Sequence, residues 1–361
     1  MNPTSPGEFR GTQASRRRLF ESMFFALGLM LFVGLLLSID LRAVVASVRR
    51  AGPAFLASLG CYLASQLLSA RAWQLVLGGD VPFWRVLAAS WAGHAANQLT
   101  PGSTAGELWK ASLLKAPGMD LKRGGASVVT TNLLGSVTGL CWVGVSLVYS
   151  ALVLDLPSDV ARALTISALV AGLVAACVAW LLLRGAAHTA VEWIVRVPGL
   201  SRFRRTWMRA ALAMDQEVET TSKARPRALR RSVAMLLGCR AMQVCEVWAL
   251  IRAVLPDASG PFALNLSVFV LAFGQVVAWM LSIVPGQLGV AEAGSAGAFA
   301  IMGLPPAIGL AMELLRRGRK VIGISIGLGF AAFIRNRERP VGTRAGDVES
   351  TIEPAAGEPR R

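Results

Sequence analysis

Asn97-Gln98-Leu99-Thr100-Pro101-Gly102-Ser103-Thr104-Ala105-Gly106-Glu107, with Lys110 just beyond, breaks an apolar region and then offers one acid and one base. Proline removes a backbone donor and glycine loosens the chain, so a continuous helix through Pro101-Gly102 is disfavoured. At membrane depth, broken backbone persists only where protein buries it or a wet cavity solvates it. The device recurs late in the chain as Ser282-Ile283-Val284-Pro285-Gly286-Gln287-Leu288-Gly289-Val290-Ala291-Glu292. Both copies read Pro-Gly, then a glycine, then a glutamate. Two such elements predict a working site built where they meet.

The rest of the chain says what surrounds them. Of 361 residues 54% are hydrophobic, and several runs reach the length that crosses a bilayer. The fold class is therefore an all-α polytopic membrane protein with about 6–8 transmembrane helices. A net charge of +16 invites a nucleic-acid reading, but the basic residues cluster between apolar runs, where the positive-inside rule accounts for them. No nucleic-acid partner is expected. Cys61, Cys141, Cys177, Cys239 and Cys245 lie in apolar runs without metal-ligand company and read as free buried thiols. His94 and His188 are too few for a zinc or haem centre, and no cofactor is expected. Phosphate-loop, zinc-protease and nucleophile-elbow motifs are absent, so the chain does not read as an enzyme.

Taken in order, residues 1–18 form a polar cytoplasmic tail ending in Arg16-Arg17-Arg18. Leu19 to Ile39 reads as a retained first span; a signal peptide is the rival, but the run is long for a signal core and no small-x-small site closes it. Asp40 to Gly52 reads as a short amphipathic helix, and Pro53 to Leu77 as the second span, with Arg71 and Trp73 reaching for an interface. Gly124 to Leu154 and Ala163 to Leu183 are spans joined through Asp155 and Asp159 on the outer face. Between 184 and 231 eleven basic residues face four acidic ones, which marks a cytoplasmic loop. Trp207 and Phe203 among its arginines suit a helix on anionic lipid or a solvated loop helix. Ser232 to Leu255 spans outward to a turn at 256–261, and the chain returns through Pro305 to Ile334. Residues 335–361 read as a disordered cytoplasmic tail.

Parity decides the architecture. Were each Pro-Gly stretch a single span, the basic loop would fall outside. As re-entrant hairpins they satisfy every strong charge cue, although tilted spans remain the alternative. Span, hairpin, span then occurs twice in opposite orientation, over about 53–154 and 232–334, inside one membrane domain of residues 19–334. That is the inverted repeat of many transporters.

A charge at a helix centre costs roughly 2.5–3.5 kcal/mol on insertion scales. Glu107 with Lys110, Arg240 with Glu246, Glu292, and Glu313 with Arg316, Arg317, Arg319 and Lys320 therefore each need a reason. Glu107 and Lys110 either pair with one another or contact a substrate. Glu313 shares a helix face with Arg316 and Arg317, but four cations there outnumber one nearby acid, and arginine's planar fork suits a phosphate. Snorkelling to an interface is the rival account. Arg240 and Glu246 fall on different faces, so their partners lie elsewhere and a structural role is expected. Thr130-Thr131-Asn132 inside a span can bond between helices.

The pattern N-x-L-x-P-G-x-x-x-G-E with a following base resembles the first motif of the flippase-like family. That family comprises the transmembrane region of lysylphosphatidylglycerol synthases and includes hopanoid-associated membrane proteins. The block from Ser282 to Glu292 resembles its second motif, and Gly303-Leu304-Pro305 and Arg316-Arg317 also fit. The resemblance covers roughly residues 15–335. Lys110 stands where the family more often has arginine, and Thr131-Asn132 where an acid and an arginine are common. The aminoacyl-transferase domain of the full-length synthases has no counterpart. The resemblance thus implies the translocation half without the synthetic half: a multi-pass inner-membrane transporter, both termini cytoplasmic, for a lipid with an anionic or phosphate head. A non-transporting lipid-binding subunit, with a lipid-biosynthetic enzyme as partner, is the alternative; oligomeric state stays open. Asn97, Pro101, Gly102, Gly106, Glu107, Lys110, Pro285, Gly286, Gly289, Glu292, Glu313, Arg316 and Arg317 are the expected substrate-binding residues.

Overall fold

The computed structural model describes residues 49, 51–79, 81–99, 105–114, 121–183, 226–280 and 290–337, with isolated positions 188, 191–192, 208, 212 and 215–216. The expected span at 19–39, nearly all of the amphipathic stretch at 40–52, both Pro-Gly turns, most of the 184–231 loop and the tail beyond 337 lie outside the described residues. What is described is helical: α1 Pro53–Leu77, α2 Phe83–Leu99, α3 Ala105–Leu113, α4 Leu121–Val153, α5 Ser158–Leu183, α6 Pro226–Val254, α7 Gly260–Met280, α8 Val290–Ile301 and α9 Pro306–Arg337. Five of these, α1, α4, α5, α6 and α7, are long and apolar enough to cross a membrane. The protein is an all-α polytopic membrane protein.

Local sequence sets the helix ends. α1 starts on Pro53, whose missing N–H would be orphaned in the first turn anyway, and stops at Gly78 with φ 92°. Gly303, at φ 71°, ends α8 by letting Leu304 N–H return to the Phe299 carbonyl at 2.9 Å. Pro305 and Pro306 then launch α9.

The order of lengths repeats. α1 to α4 have 25, 17, 9 and 33 residues, and α6 to α9 have 29, 21, 12 and 32. The packing repeats as well. α1 lies along α6, and α1–α2, α2–α3 and α3–α4 contacts are matched by α6–α7, α7–α8 and α8–α9. Across the halves α2 packs on α9 and α4 on α7. At about 1.5 Å per residue, α3 and α8 are roughly 13 and 18 Å long, well short of the roughly 30 Å hydrocarbon core. Each packs on the helix before it, α3 on α2 and α8 on α7.

Two apolar cores flank the middle of α9. Met312 and Leu315 enter one, with Phe269, Phe299, Leu250 and Ile251. Ile324, Leu328, Ala331 and Ile334 enter the other, with Trp73, Leu77, Val86 and Trp109. The charged stretch from Arg316 to Lys320 runs between them. Trp73 does not reach an interface as expected: it is 3% exposed and its Nε1 donates to Ser127 Oγ at 3.1 Å. The five cysteines are free, but only Cys239 is buried; Cys141, Cys177 and Cys245 face outward from their spans.

Candidate intramembrane ionic site

The first cluster forms because α2 and α3 meet with almost no side chain between them. A β-carbon on Gly106 would overlap the Gly93 carbonyl and the Asn97 side chain. This close approach lets Asn97 Oδ1 accept the Gly106 N–H at 2.8 Å, satisfying a donor in the first turn of α3 that has no helical partner. Asn97 Nδ2 donates to Glu107 Oε1 at 2.6 Å, and Lys110 Nζ donates to the same oxygen at 2.8 Å. From α4, Asn132 Nδ2 donates to Glu107 Oε2 at 2.7 Å. One carboxylate therefore ties three helices together.

The second cluster is built on α9. Glu313 Oε1 accepts from Ser295 Oγ on α8 at 2.8 Å and from Arg316 Nη1 at 2.5 Å. Glu246, on α6, accepts from Arg319 Nη1 at 2.8 Å, and its other oxygen lies 3.7 Å from Arg316 Nε. Arg317 Nε donates to Glu292 Oε1, in the first turn of α8, at 2.5 Å. Glu246 and Glu313 are each only 1% exposed, so these contacts replace hydration outright. Lys320 completes the group, and among the described residues no carboxylate stands within ion-pair distance of it. Three carboxylates thus meet four cations.

The two clusters adjoin. The Arg319 guanidinium lies over the Tyr62 ring at 4.4 Å, a cation–π contact from α9 to α1. The Tyr62 ring stands 6.2 Å from that of His94, and the amides of Gln66 and Gln98 lie 3.5 Å from His94 Nε2. His94 is one turn before Asn97 on α2. A polar seam thus leads from Glu107 to Glu246 between the apolar cores.

Asn97, Gly106, Glu107 and Lys110 stand together in one group, and Glu292, Glu313, Arg316 and Arg317 in another. Pro101, Gly102, Pro285, Gly286 and Gly289 lie outside the described residues. The pairing on α9 differs from the sequence reading in one respect. Glu313 takes Arg316 alone, while Arg317 crosses to Glu292. Asn132, His94, Gln66, Ser295, Tyr62 and Arg319 join the polar system without having been named as site residues. Asn132 carried a signal, since a polar triplet inside a span wants a partner on another helix. The i, i+3, i+4 spacing of His94, Asn97 and Gln98 carried another. Glu246 needs a cation from another helix, as its spacing from Arg240 implied.

Long apolar helices, short broken ones and charges paired at depth define a polytopic membrane protein with an internal ionic site. The particular family follows from comparison. A family model described as the lysylphosphatidylglycerol synthase transmembrane region matches residues 23–327, and the chain belongs to that family. Comparison with curated proteins and with solved structures returns no match.

Proposed function

We propose that this protein moves a lipid with a phosphate or similarly anionic head between the leaflets of a bacterial inner membrane, without chemistry on the head. The observation that carries this is the imbalance on α9: four cations against three carboxylates between apolar cores, with the buried Nε atoms of Arg316 and Arg319 lacking hydrogen-bond acceptors among the described residues. Buried guanidinium donors favour an anionic, planar acceptor such as a phosphate. Membership of a lipid-related membrane family supports the same reading.

In this proposal Glu107 and Lys110 on one broken element and Glu292 on the other line the path. Arg316 and Arg317 hold the head. The matched lengths and contacts of α1–α4 and α6–α9 support an inverted repeat whose short helices are re-entrant, with the site between the halves. Both termini lie in the cytoplasm.

Purified protein in liposomes, presented with a panel of lipids fluorescent in the acyl chain, tests this directly. Anionic lipids should exchange leaflets faster than zwitterionic ones, and Arg316→Gln or Arg317→Gln should slow that exchange in normally folded protein. A second reading draws on the pairing itself: every carboxylate in the clusters already has a cation, as befits a static lipid-binding subunit. Anionic lipid bound tightly but never exchanged between leaflets would favour that reading.

A further inference from the structure

Away from both clusters, α6 carries a cation that no carboxylate reaches. Arg240 sits midway along Pro226–Val254, half-buried, and its Nη1 donates to Gln243 Oε1 at 3.1 Å. Among the described residues no acid pairs with it, and Glu246 is engaged with Arg316 and Arg319. The guanidinium lies instead against α4 at Gly139, where an added β-carbon would come within 2.7 Å of Nη2. Gly139 is at the middle of the span Gly124–Val153, so this side chain is laid across the centre of its neighbour and does not snorkel to a surface.

α4 presents Asn132, Gly135, Ser136 and Gly139 at spacings of three and four, which is one helix face. Asn132 and Ser136 are exposed, and nothing stands within 4 Å of a β-carbon built on Gly135. An open polar face therefore runs along α4 from the Asn132 amide, bonded to Glu107, towards Gly139, about 10 Å at 1.5 Å per residue, and ends where the Arg240 guanidinium covers that buried glycine. Beside it the exposed flank of α6 is apolar, with Leu237, Cys245 and Trp248 facing outward. In a span, such a flank faces acyl chains, so a ligand reaches that polar face sideways from the bilayer.

We propose that the cleft between α4 and α6 binds the phosphate of an anionic phospholipid, with Arg240 as its anchoring cation, while the acyl chains stay in the bilayer. Gly135 makes room, the second N–H of the Asn132 amide is free of Glu107 and can donate to the head, and Ser136 Oγ, which donates to the Asn132 carbonyl at 2.9 Å, can exchange that bond for one to the phosphate. The site rests on the reading that the protein binds anionic lipid and is separate from Arg316 and Arg317.

The test uses the full-length protein in phosphatidylcholine nanodiscs, with phosphatidylglycerol added and retained lipid read by native mass spectrometry. Arg240→Gln should weaken retention roughly tenfold, the scale of one lost charge-assisted contact, with Arg240→Lys in between. Gly139→Leu, which fills the seat of the guanidinium, should act like Arg240→Gln. A phosphatidylglycerol analogue with a photoreactive head guards against misfolded variants and should label 132–139 and 237–243 of the wild-type chain. Labelling confined to 313–320, or unchanged retention in folded Arg240→Gln, overturns the cleft while leaving lipid binding intact. Equal displacement by inorganic phosphate overturns the lipid assignment. If the wild type shows no preference for the anionic lipid, the functional reading fails along with the cleft.

Discussion

Glu107 and Glu246 show how much a single carboxylate can organise at membrane depth. Glu107 accepts from Asn97, Lys110 and Asn132 at once. Exchanging it with Lys110 therefore cannot restore the cluster, because a lysine at 107 would face two amide donors with nothing to accept from them. The Glu107→Lys, Lys110→Glu double variant should be no more stable to heat in detergent than either single variant; recovery of the wild-type midpoint would mean the pair acts alone. Glu246→Gln leaves the buried Arg319 without its carboxylate, while Arg316 keeps Glu313, at a cost of about 3–5 kcal/mol by analogy with other broken buried pairs. Glu292→Gln alters the 19%-exposed partner of Arg317, and its effect should appear in lipid exchange more than in stability. Thermal unfolding of the two variants side by side checks that order. The sequence exposed these acids, since charge inside apolar runs is conspicuous. It could not assign partners on other helices, because Arg316, Arg317 and Arg319 fan around α9 and each finds whichever helix packs there.

Helices approach one another here through glycine, and the closest crossings fall where the two halves meet or where a short helix docks. A β-carbon on Gly327 of α9 would sit 2.5 Å from the Trp91 carbonyl oxygen on α2, and one on Gly309 would sit 2.6 Å from the Ser295 carbonyl oxygen on α8. Gly309→Leu should push α8 off α9 and break the bond from Ser295 to Glu313, a loss of about 1–3 kcal/mol on the scale of overpacked cores. Gly329→Leu, on the same helix with open space at its β-position, should be tolerated and serves as the control. Detergent melting curves of the two variants decide it. Long spans were legible from apolar length, and the ends of α1 and α8 from Gly78, Gly303 and the prolines that follow or precede them. The packing of α3 on α2 was not legible, because hydropathy does not record which neighbour a short helix meets. The close contact there sets Gly106, a residue of the first motif, against Gly93, which nothing in the sequence sets apart.

At the scale of the molecule, the two halves share an order of lengths and contacts, while the sequence likeness noted between them is a Pro-Gly followed, three or four residues after the proline's glycine, by another glycine and then a glutamate. Packing of apolar surfaces tolerates many sequences, so the internal correspondence was visible only at the positions where backbone breaks. Thiol labelling reads the orientation: a single cysteine at Asp257 in a cysteine-free background should react with an impermeant thiol reagent on intact cells, and one at Arg227 should not. Labelling of the second and not the first would invert the scheme. The anchoring of α9 has an electrical consequence. Three of its four cations, Arg316, Arg317 and Arg319, are tied to carboxylates on α6, α8 and α9 itself, so they hold their places in the protein when a head group passes. On the lipid-transport reading, the passenger's charge then crosses uncompensated, and the membrane field works on it at about 2.3 kcal/mol per charge per 100 mV. A vesicle held negative inside should speed outward passage of a monoanionic lipid and slow its return, which a potassium diffusion potential set with valinomycin would reveal. Resting voltage alone would then suffice to give the traffic a direction.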